Sequence, residues 1–148
     1  MEELAQNPAF QTYALCSSIL ALKLFWSSVY SGIQRQRNQG YTNPEDARVF
    51  AAGAVEAAPL EAPAVAHALR IQRNDGENLP AFFAIGLIFV LSGASPGSAA
   101  AYLWTFTIAR LLHTFFYTNQ MQPWRALAFG AGALSVIGMS VQTIIAMI

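Results

Sequence analysis

Four polar residues in the middle of the chain have the types and spacing that suit binding of a charged small molecule. Arg70, Arg73, Asn74 and Glu77 stand at positions i, i+3, i+4 and i+7, so a helix places them on one face. Guanidinium groups grip carboxylates in pairs, and a carboxylate can receive an ammonium group. The pattern predicts a face that binds a ligand of mixed charge. A self-contained ladder of ion pairs with Glu77 is the alternative interpretation.

A second cluster repeats this spacing further along the chain. Arg110, His113, Thr114 and Tyr117 follow one another at the same intervals within an otherwise apolar run. Ionisable groups in such runs usually face the interior of a helix bundle or a water-filled cavity. No second histidine or carboxylate stands at ligand spacing from His113, so we expect no metal site there. An ordinary interior histidine remains the alternative.

Arginine supplies almost all of the positive charge, with seven Arg and a single Lys. Five arginines are expected at one depth in the membrane, where they outnumber the acids, chiefly Asp75 and Glu77. These arginines are Arg35, Arg70, Arg73, Arg110 and Arg125. A surplus of fixed guanidinium favours a polyanionic or thiolate ligand. Glutathione, with two carboxylates, an amine and a thiol, fits this description, and its thiol ionises more readily beside an arginine. Charge alone leaves an anionic lipid head group as an equal alternative.

The elements that position these residues are predicted to lie in lipid. Only 11% of the 148 residues are charged and 55% are hydrophobic, whereas soluble domains carry about 25% charged residues. The formal net charge is zero, so no overall positive field indicates nucleic acid as a partner. The one cysteine, Cys16, excludes an intramolecular disulfide.

Four segments are long enough to cross a bilayer core of about 30 Å as helices. They cover residues 10–33, 64–92, 98–118 and 124–147, with a long polar loop over 34–65. We therefore predict a single all-α domain over residues 1–148, an integral membrane four-helix bundle. A soluble four-helix bundle is the alternative, and it requires every span to hide its outer face.

The cations are distributed unevenly between the two ends of these segments. Glu2 and Glu3 stand at one end, which has no Lys or Arg. The other end, shared by the 34–65 loop and the 119–123 turn, carries six arginines: Arg35, Arg37, Arg48, Arg70, Arg73 and Arg125. The positive-inside rule predicts that this arginine-rich end is cytoplasmic and that both termini lie on the opposite side.

The order of these motifs resembles the MAPEG family, the membrane-associated proteins in eicosanoid and glutathione metabolism. The resemblance starts with the run Asn43-Pro44-Glu45-Asp46 and continues with Arg70-Ile71-Gln72-Arg73-Asn74-Asp75-Gly76-Glu77-Asn78. The cluster from Arg110 to Tyr117 and the run Pro123-Trp124-Arg125 extend it over nearly the whole chain. Within the family, the pattern is most similar to the microsomal prostaglandin E synthase branch.

The resemblance implies a homotrimer of four-helix subunits, with glutathione bound at each subunit interface near the cytoplasmic side. Arg35 would reach glutathione from the neighbouring subunit, and Arg70 and Arg110 would support or contact it. The remaining contacts implied by position come from Arg73, Asn74, Glu77, His113 and Tyr117.

The resemblance also implies two catalytic residues. Arg125 would lie closest to the sulfur and favour the thiolate, and Asp46 would work with it as a proton handler. The chain departs from the isomerase branch at Ala126, where that branch has a serine thought to hydrogen-bond the thiol. It departs again at Phe129, which stands in place of a tyrosine.

The sequence leaves three candidate functions for this chain. The first is a glutathione transferase or peroxidase acting on lipophilic electrophiles that arrive from the bilayer. The second is an endoperoxide isomerase like prostaglandin E synthase, against which Ala126 argues. The third is a non-enzymatic membrane module that binds lipid or another protein. The short loops suit a multi-pass protein of a bacterial inner membrane or of the endoplasmic reticulum, with the active site toward the cytoplasm.

Overall fold

The computed structural model describes residues 2–51 and 60–148, and all the regular structure in these ranges is helical. The expected all-α class is therefore confirmed. The helices are α1 (Glu2–Gln6), α2 (Pro8–Asn38), α3 (Pro44–Phe50), α4 (Pro63–Leu91), α5 (Pro96–Thr118) and α6 (Trp124–Met147).

Local sequence signals account for where most of the long helices begin. Helices α2, α4 and α5 each begin at a proline, whose fixed backbone angle and missing N–H suit the first helical position. Ser95 caps α5, since its side chain accepts a hydrogen bond from the Ser98 backbone N–H at 3.2 Å. The four long helices cover the four predicted spans.

The expectation of a continuous loop over residues 34–65 was wrong. Helix α2 continues to Asn38, and α3 occupies Pro44–Phe50. Pro44 stands at the start of α3, and Glu45 and Asp46 lie in its first turn. These residue types favour a helix start because they match the helix dipole and the missing N–H partners. Residues 52–59 of the expected loop lie outside the described residues.

Two of the helices, α2 and α6, are long and apolar enough to cross a membrane by length and composition. Only 22% of each apolar window is buried inside the structure. A helix from the core of a water-soluble protein would bury far more of its surface, so these apolar faces require lipid or another protein. That the four long helices cross the membrane stays a prediction.

The chain divides into two compact units. The first contains residues 1–23 and 77–148. In it α5 packs along α6, and the rings of Phe82 and Phe106 stack with centroids 4.3 Å apart. The Tyr13 hydroxyl donates to the Phe83 carbonyl at 2.9 Å.

The second unit, Leu24–Gly76, joins the end of α2 to the start of α4. The Ser31 hydroxyl donates to Gln72 Oε1 at 3.1 Å. Gly40 lies so close to Ala62 that an added Cβ would come within 3.1 Å of the Ala62 Cβ. These contacts hold the last turns of α2, where Arg35 is located, and the turn that follows them.

Candidate functional site

Arg125 is held in a defined orientation by two neighbours at the start of α6. Its guanidinium carbon lies 4.5 Å from the centroid of the Tyr117 ring, which is a cation–π contact. The Gln122 amide, with its oxygen toward the guanidinium, accepts hydrogen bonds from Nη2 at 2.6 Å and from Nε at 3.1 Å. Arginine offers more N–H donors than Gln122 uses. The same guanidinium can therefore also donate to an anion.

His113 extends this group along α5. Its ring centroid lies 5.6 Å from that of Tyr117 and 6.2 Å from that of Phe129. The histidine is buried. We call His113, Tyr117, Gln122, Arg125 and Phe129 the α5–α6 cluster. It brings together three residues predicted for the site, and it adds Gln122, which the spacing of the sequence did not single out.

Arg110 lies one helical turn before His113 and is almost fully buried, with 1% of its surface exposed. Gly132 of α6 lies beside it: an added Cβ there would be 3.6 Å from the Arg110 Cδ, an ordinary van der Waals distance. The side chain is thus packed between α5 and α6. This burial suits a supporting role for Arg110 better than direct contact with a ligand.

The predicted face on α4 is helical, as expected, but its residues differ in burial. Arg70, Arg73 and Glu77 are exposed, and Asn74 is partly buried. Asp75, on another side of the helix, is 1% exposed. Arg70 and Arg73 are thus accessible to an anion.

Arg35 forms an ion pair that the sequence did not predict. Its Nη2 lies 2.8 Å from Glu61 Oε1, and both side chains are partly buried. Sequence reasoning considered Glu77 and Asp75 as the acids that balance the arginines and omitted Glu61. No periodic signal could have identified it, because the two partners lie 26 positions apart in the sequence.

Arg35 and Asp46, both predicted for the site, line one cavity of about 250 Å³ in the second unit. Tyr41 also lines it and is buried. We call this the α2–α3 cavity; its lining residues are Gly32, Arg35, Gln36, Tyr41, Asp46 and Phe50. Sequence reasoning missed Tyr41, because a single aromatic residue after a helix carries no spacing pattern.

A second, larger cavity of about 440 Å³ lies along α5 and α6 and has an almost wholly apolar lining that includes Ile108, Phe116 and Leu127. Three or more histidine, cysteine, aspartate or glutamate side chains that could share a metal ion are not found together in residues 2–51 and 60–148.

The described part of the chain thus combines apolar helices whose surfaces face outward with arginines at defined polar positions. The family is given by comparison with known proteins. The model of the MAPEG family matches residues 13–145, and the chain belongs to this family of membrane-associated proteins. The resemblance drawn from the sequence motifs is confirmed.

Individual relatives carry two different names. Prostaglandin E synthase of Bos taurus is 29% identical over 143 residues, which is 96% of this chain and 92% of the relative. The Homo sapiens protein of the same name is 28% identical over 92% of this chain and 88% of its own length. Microsomal glutathione S-transferase 1 of Sus scrofa is 32% identical over 89% of this chain and 86% of its own length.

Proposed function

We propose that this chain is a glutathione-dependent membrane enzyme. It joins glutathione, through its sulfur, to lipophilic electrophiles, or uses the glutathione thiol to reduce lipophilic peroxides. The names of its relatives, a prostaglandin synthase and a glutathione transferase, support glutathione as the co-substrate. The observation that carries the proposal is the guanidinium of Arg125, which Tyr117 and Gln122 hold in place.

In this proposal the reaction begins with ionisation of the glutathione thiol. A guanidinium beside the sulfur stabilises the thiolate, which is the nucleophile. Because Tyr117 and Gln122 already orient Arg125, this stabilisation needs no rearrangement when charge develops on sulfur. The thiolate then attacks an electrophilic carbon, to which sulfur bonds as the leaving group departs with its electron pair. With a peroxide, sulfur bonds to one oxygen, the O–O bond breaks and the other oxygen leaves as an alkoxide that takes a proton. A second glutathione then converts the sulfenic acid to the disulfide and water.

The other roles implied by the family resemblance are part of the same proposal. Asp46 handles a proton together with Arg125. Arg70 and Arg110 support the site. The residues proposed to bind glutathione from one subunit are Arg73, Asn74, Glu77, His113 and Tyr117, and Arg35 is proposed to reach it from the neighbouring subunit.

We further propose that all four long helices cross the membrane and that the arginine-rich end faces the cytoplasm, where glutathione is available. The proposed assembly is a homotrimer. The unequal distribution of arginine supports the orientation, and the trimer follows from family membership alone.

An endoperoxide isomerase is the second candidate, favoured by similarity to prostaglandin E synthases over nearly the whole chain. It would use the same thiolate to open a cyclic peroxide and would then release glutathione unchanged. Ala126 has no hydroxyl to donate to the sulfur. The thiolate would thus depend on Arg125, which suits a general transferase better than a dedicated isomerase.

The proposal is tested by titrating the purified protein in detergent with glutathione while following the ultraviolet absorbance of the thiolate. We expect saturable thiolate formation in the wild type and at least about a tenfold smaller signal in Arg125→Ala, since a neighbouring positive charge shifts ionisation by about one to three pH units. Arg37→Ala is the matched control, because it removes one exposed arginine from the same end of the chain.

If the wild type neither bound glutathione nor formed its thiolate, the proposed enzymatic function would be refuted. It would favour a module that binds lipid or protein. Binding with a thiolate signal that Arg125→Ala leaves intact would refute the role given to Arg125.

A further inference from the structure

Two neighbours of Arg125 occupy part of its guanidinium and leave the rest open. The Gln122 amide oxygen accepts hydrogen bonds from Nη2 at 2.6 Å and from Nε at 3.1 Å, so it occupies the edge that these nitrogens share. The Tyr117 ring covers one face, with its centroid 4.5 Å from the guanidinium carbon. The N–H groups of Nη1 and the second N–H group of Nη2 are not used by these contacts. This open end can donate to an anion.

The partner on the occupied edge is neutral, which matters for the charge of Arg125. An amide oxygen accepts hydrogen bonds without carrying a negative charge, so the guanidinium keeps its net positive charge. Arg35 shows the other arrangement, since its Nη2 lies 2.8 Å from the Glu61 carboxylate. Opposite charges at this distance attract each other and cancel much of each other's field further away. Of these two arginines, Arg125 is therefore better suited to stabilise an additional anion.

The sequence around Arg125 is free of acidic residues. No Asp or Glu occurs in residues 78–148, which include all of α5, the turn over 119–123 and α6. The turn and α6 add no charged residue besides Arg125. The part of the chain that holds Arg125 thus supplies cations and neutral acceptors but no carboxylate. The titratable groups that α5 presents to this end of α6 are Arg110, His113 and Tyr117.

We propose that Gln122 is a positioning residue that sets the acidity of the glutathione thiol, because it holds Arg125 through a neutral acceptor and leaves the guanidinium charge available to the sulfur. This rests on the proposed function, which places the sulfur beside Arg125. The thiol releases its proton to water, and the uncompensated cation stabilises the thiolate that remains. A glutamate at position 122 would keep both hydrogen bonds and add a negative charge beside that cation.

The first test is therefore Gln122→Glu, which retains the shape of the side chain and changes its charge. The measurement is kcat for 1-chloro-2,4-dinitrobenzene against pH at saturating glutathione, after subtraction of the non-enzymatic rate. The midpoint of this profile reports the ionisation of the bound thiol. We expect the midpoint to rise by at least about one pH unit. At higher pH, kcat should return to nearly the wild-type value, because Arg125 is still held in place.

Gln122→Met separates the loss of the hydrogen bonds from the change of charge. Methionine is also unbranched, but its sulfur is only a weak acceptor. Arg125 would keep its charge and lose one of its two supports. We expect kcat to fall about fivefold at every pH, with a midpoint within about half a pH unit of the wild type. Asp46, the proton handler of the proposed function, is unchanged in all these variants.

Gln120→Glu is the matched control. It adds the same charge within the same turn, at an exposed position where solvent and salt screen it. Its midpoint should move by less than about a third of a pH unit.

A wild-type midpoint in Gln122→Glu would overturn the proposal. Equal midpoint shifts in Gln122→Glu and Gln122→Met would overturn it as well, because charge would then not matter. An equal shift in Gln120→Glu would show that any nearby negative charge suffices, and it too would overturn the role of Gln122. If the wild type formed no thiolate and turned over no aryl chloride, the proposed function itself would fail, and this proposal with it.

Discussion

The contact between Tyr117 and Arg125 gives a prediction that distinguishes the contribution of the Tyr117 ring from that of its hydroxyl. Tyr117→Leu removes the aromatic face on which the guanidinium rests at 4.5 Å. Tyr117→Phe retains that face and removes only the hydroxyl. If Tyr117 acts by orienting Arg125, Leu should be harmful and Phe nearly neutral.

The expected size of the effect follows from the geometry. A cation–π contact contributes about 0.5–1 kcal/mol at an exposed site and about 2 kcal/mol when desolvated. Arg125 is partly buried, so about 1 kcal/mol applies, which corresponds to about a fivefold change in an equilibrium. Gln122 still holds one edge of the guanidinium, so Tyr117→Leu should weaken the thiolate signal about fivefold without abolishing it.

The assay is thiolate absorbance at saturating glutathione, together with turnover of an aryl chloride. The double variant Tyr117→Leu/Arg125→Ala adds a stricter test. Residues that act through one another are not additive, so the double variant should be no worse than Arg125→Ala alone. Equal losses in Tyr117→Phe and Tyr117→Leu would show that the hydroxyl, rather than the ring, is required. Fully additive losses in the double variant would show that Tyr117 acts independently of Arg125.

Two further predictions concern stability and can be measured by unfolding the variants in one detergent. In α6, Gly138→Ala should lower the free energy of unfolding by about 1 kcal/mol, because the new Cβ would lie 2.8 Å from the Tyr102 Cζ and overpacking outweighs the gain in helix propensity. Gly130→Ala, whose Cβ meets nothing within 4 Å among the described residues, should instead raise it by about 0.5–1 kcal/mol; equal shifts would contradict the difference in packing. Glu61→Ala should lower the free energy of unfolding by about 1 kcal/mol because it leaves the partly buried Arg35 without its ion pair. Glu61→Gln should lower it by about half as much, since the amide oxygen still accepts a hydrogen bond. Identical losses in the two Glu61 variants would show that charge alone matters.

The long helices could be predicted because their signals are local. Apolar runs of sufficient length, with prolines such as Pro63 and Pro96 at their starts, specify where these helices lie. The short helix α3 also had a local signal, Pro44 followed by two acids, but it was missed because its polar composition resembles a loop.

The candidate site was predictable only where its residues share a helix or a known motif. Regular spacing identified His113 and Tyr117, and the family motif added Arg125 and Asp46. Gln122 and Glu61 reach their arginines from turns or from distant parts of the chain. Such contacts depend on how the chain folds back, which no periodic pattern records.

The outward-facing apolar surface of α2 has a consequence for how the protein is made. With less than a quarter of its apolar window covered by the rest of the chain, this helix has a surface that water would drive into aggregation. Folding in the cytosol followed by delivery to a membrane would expose that surface throughout. Insertion during synthesis avoids this exposure, because helices that are already in the bilayer can associate afterwards. The packing of α2 against the rest of the chain would then take place in lipid.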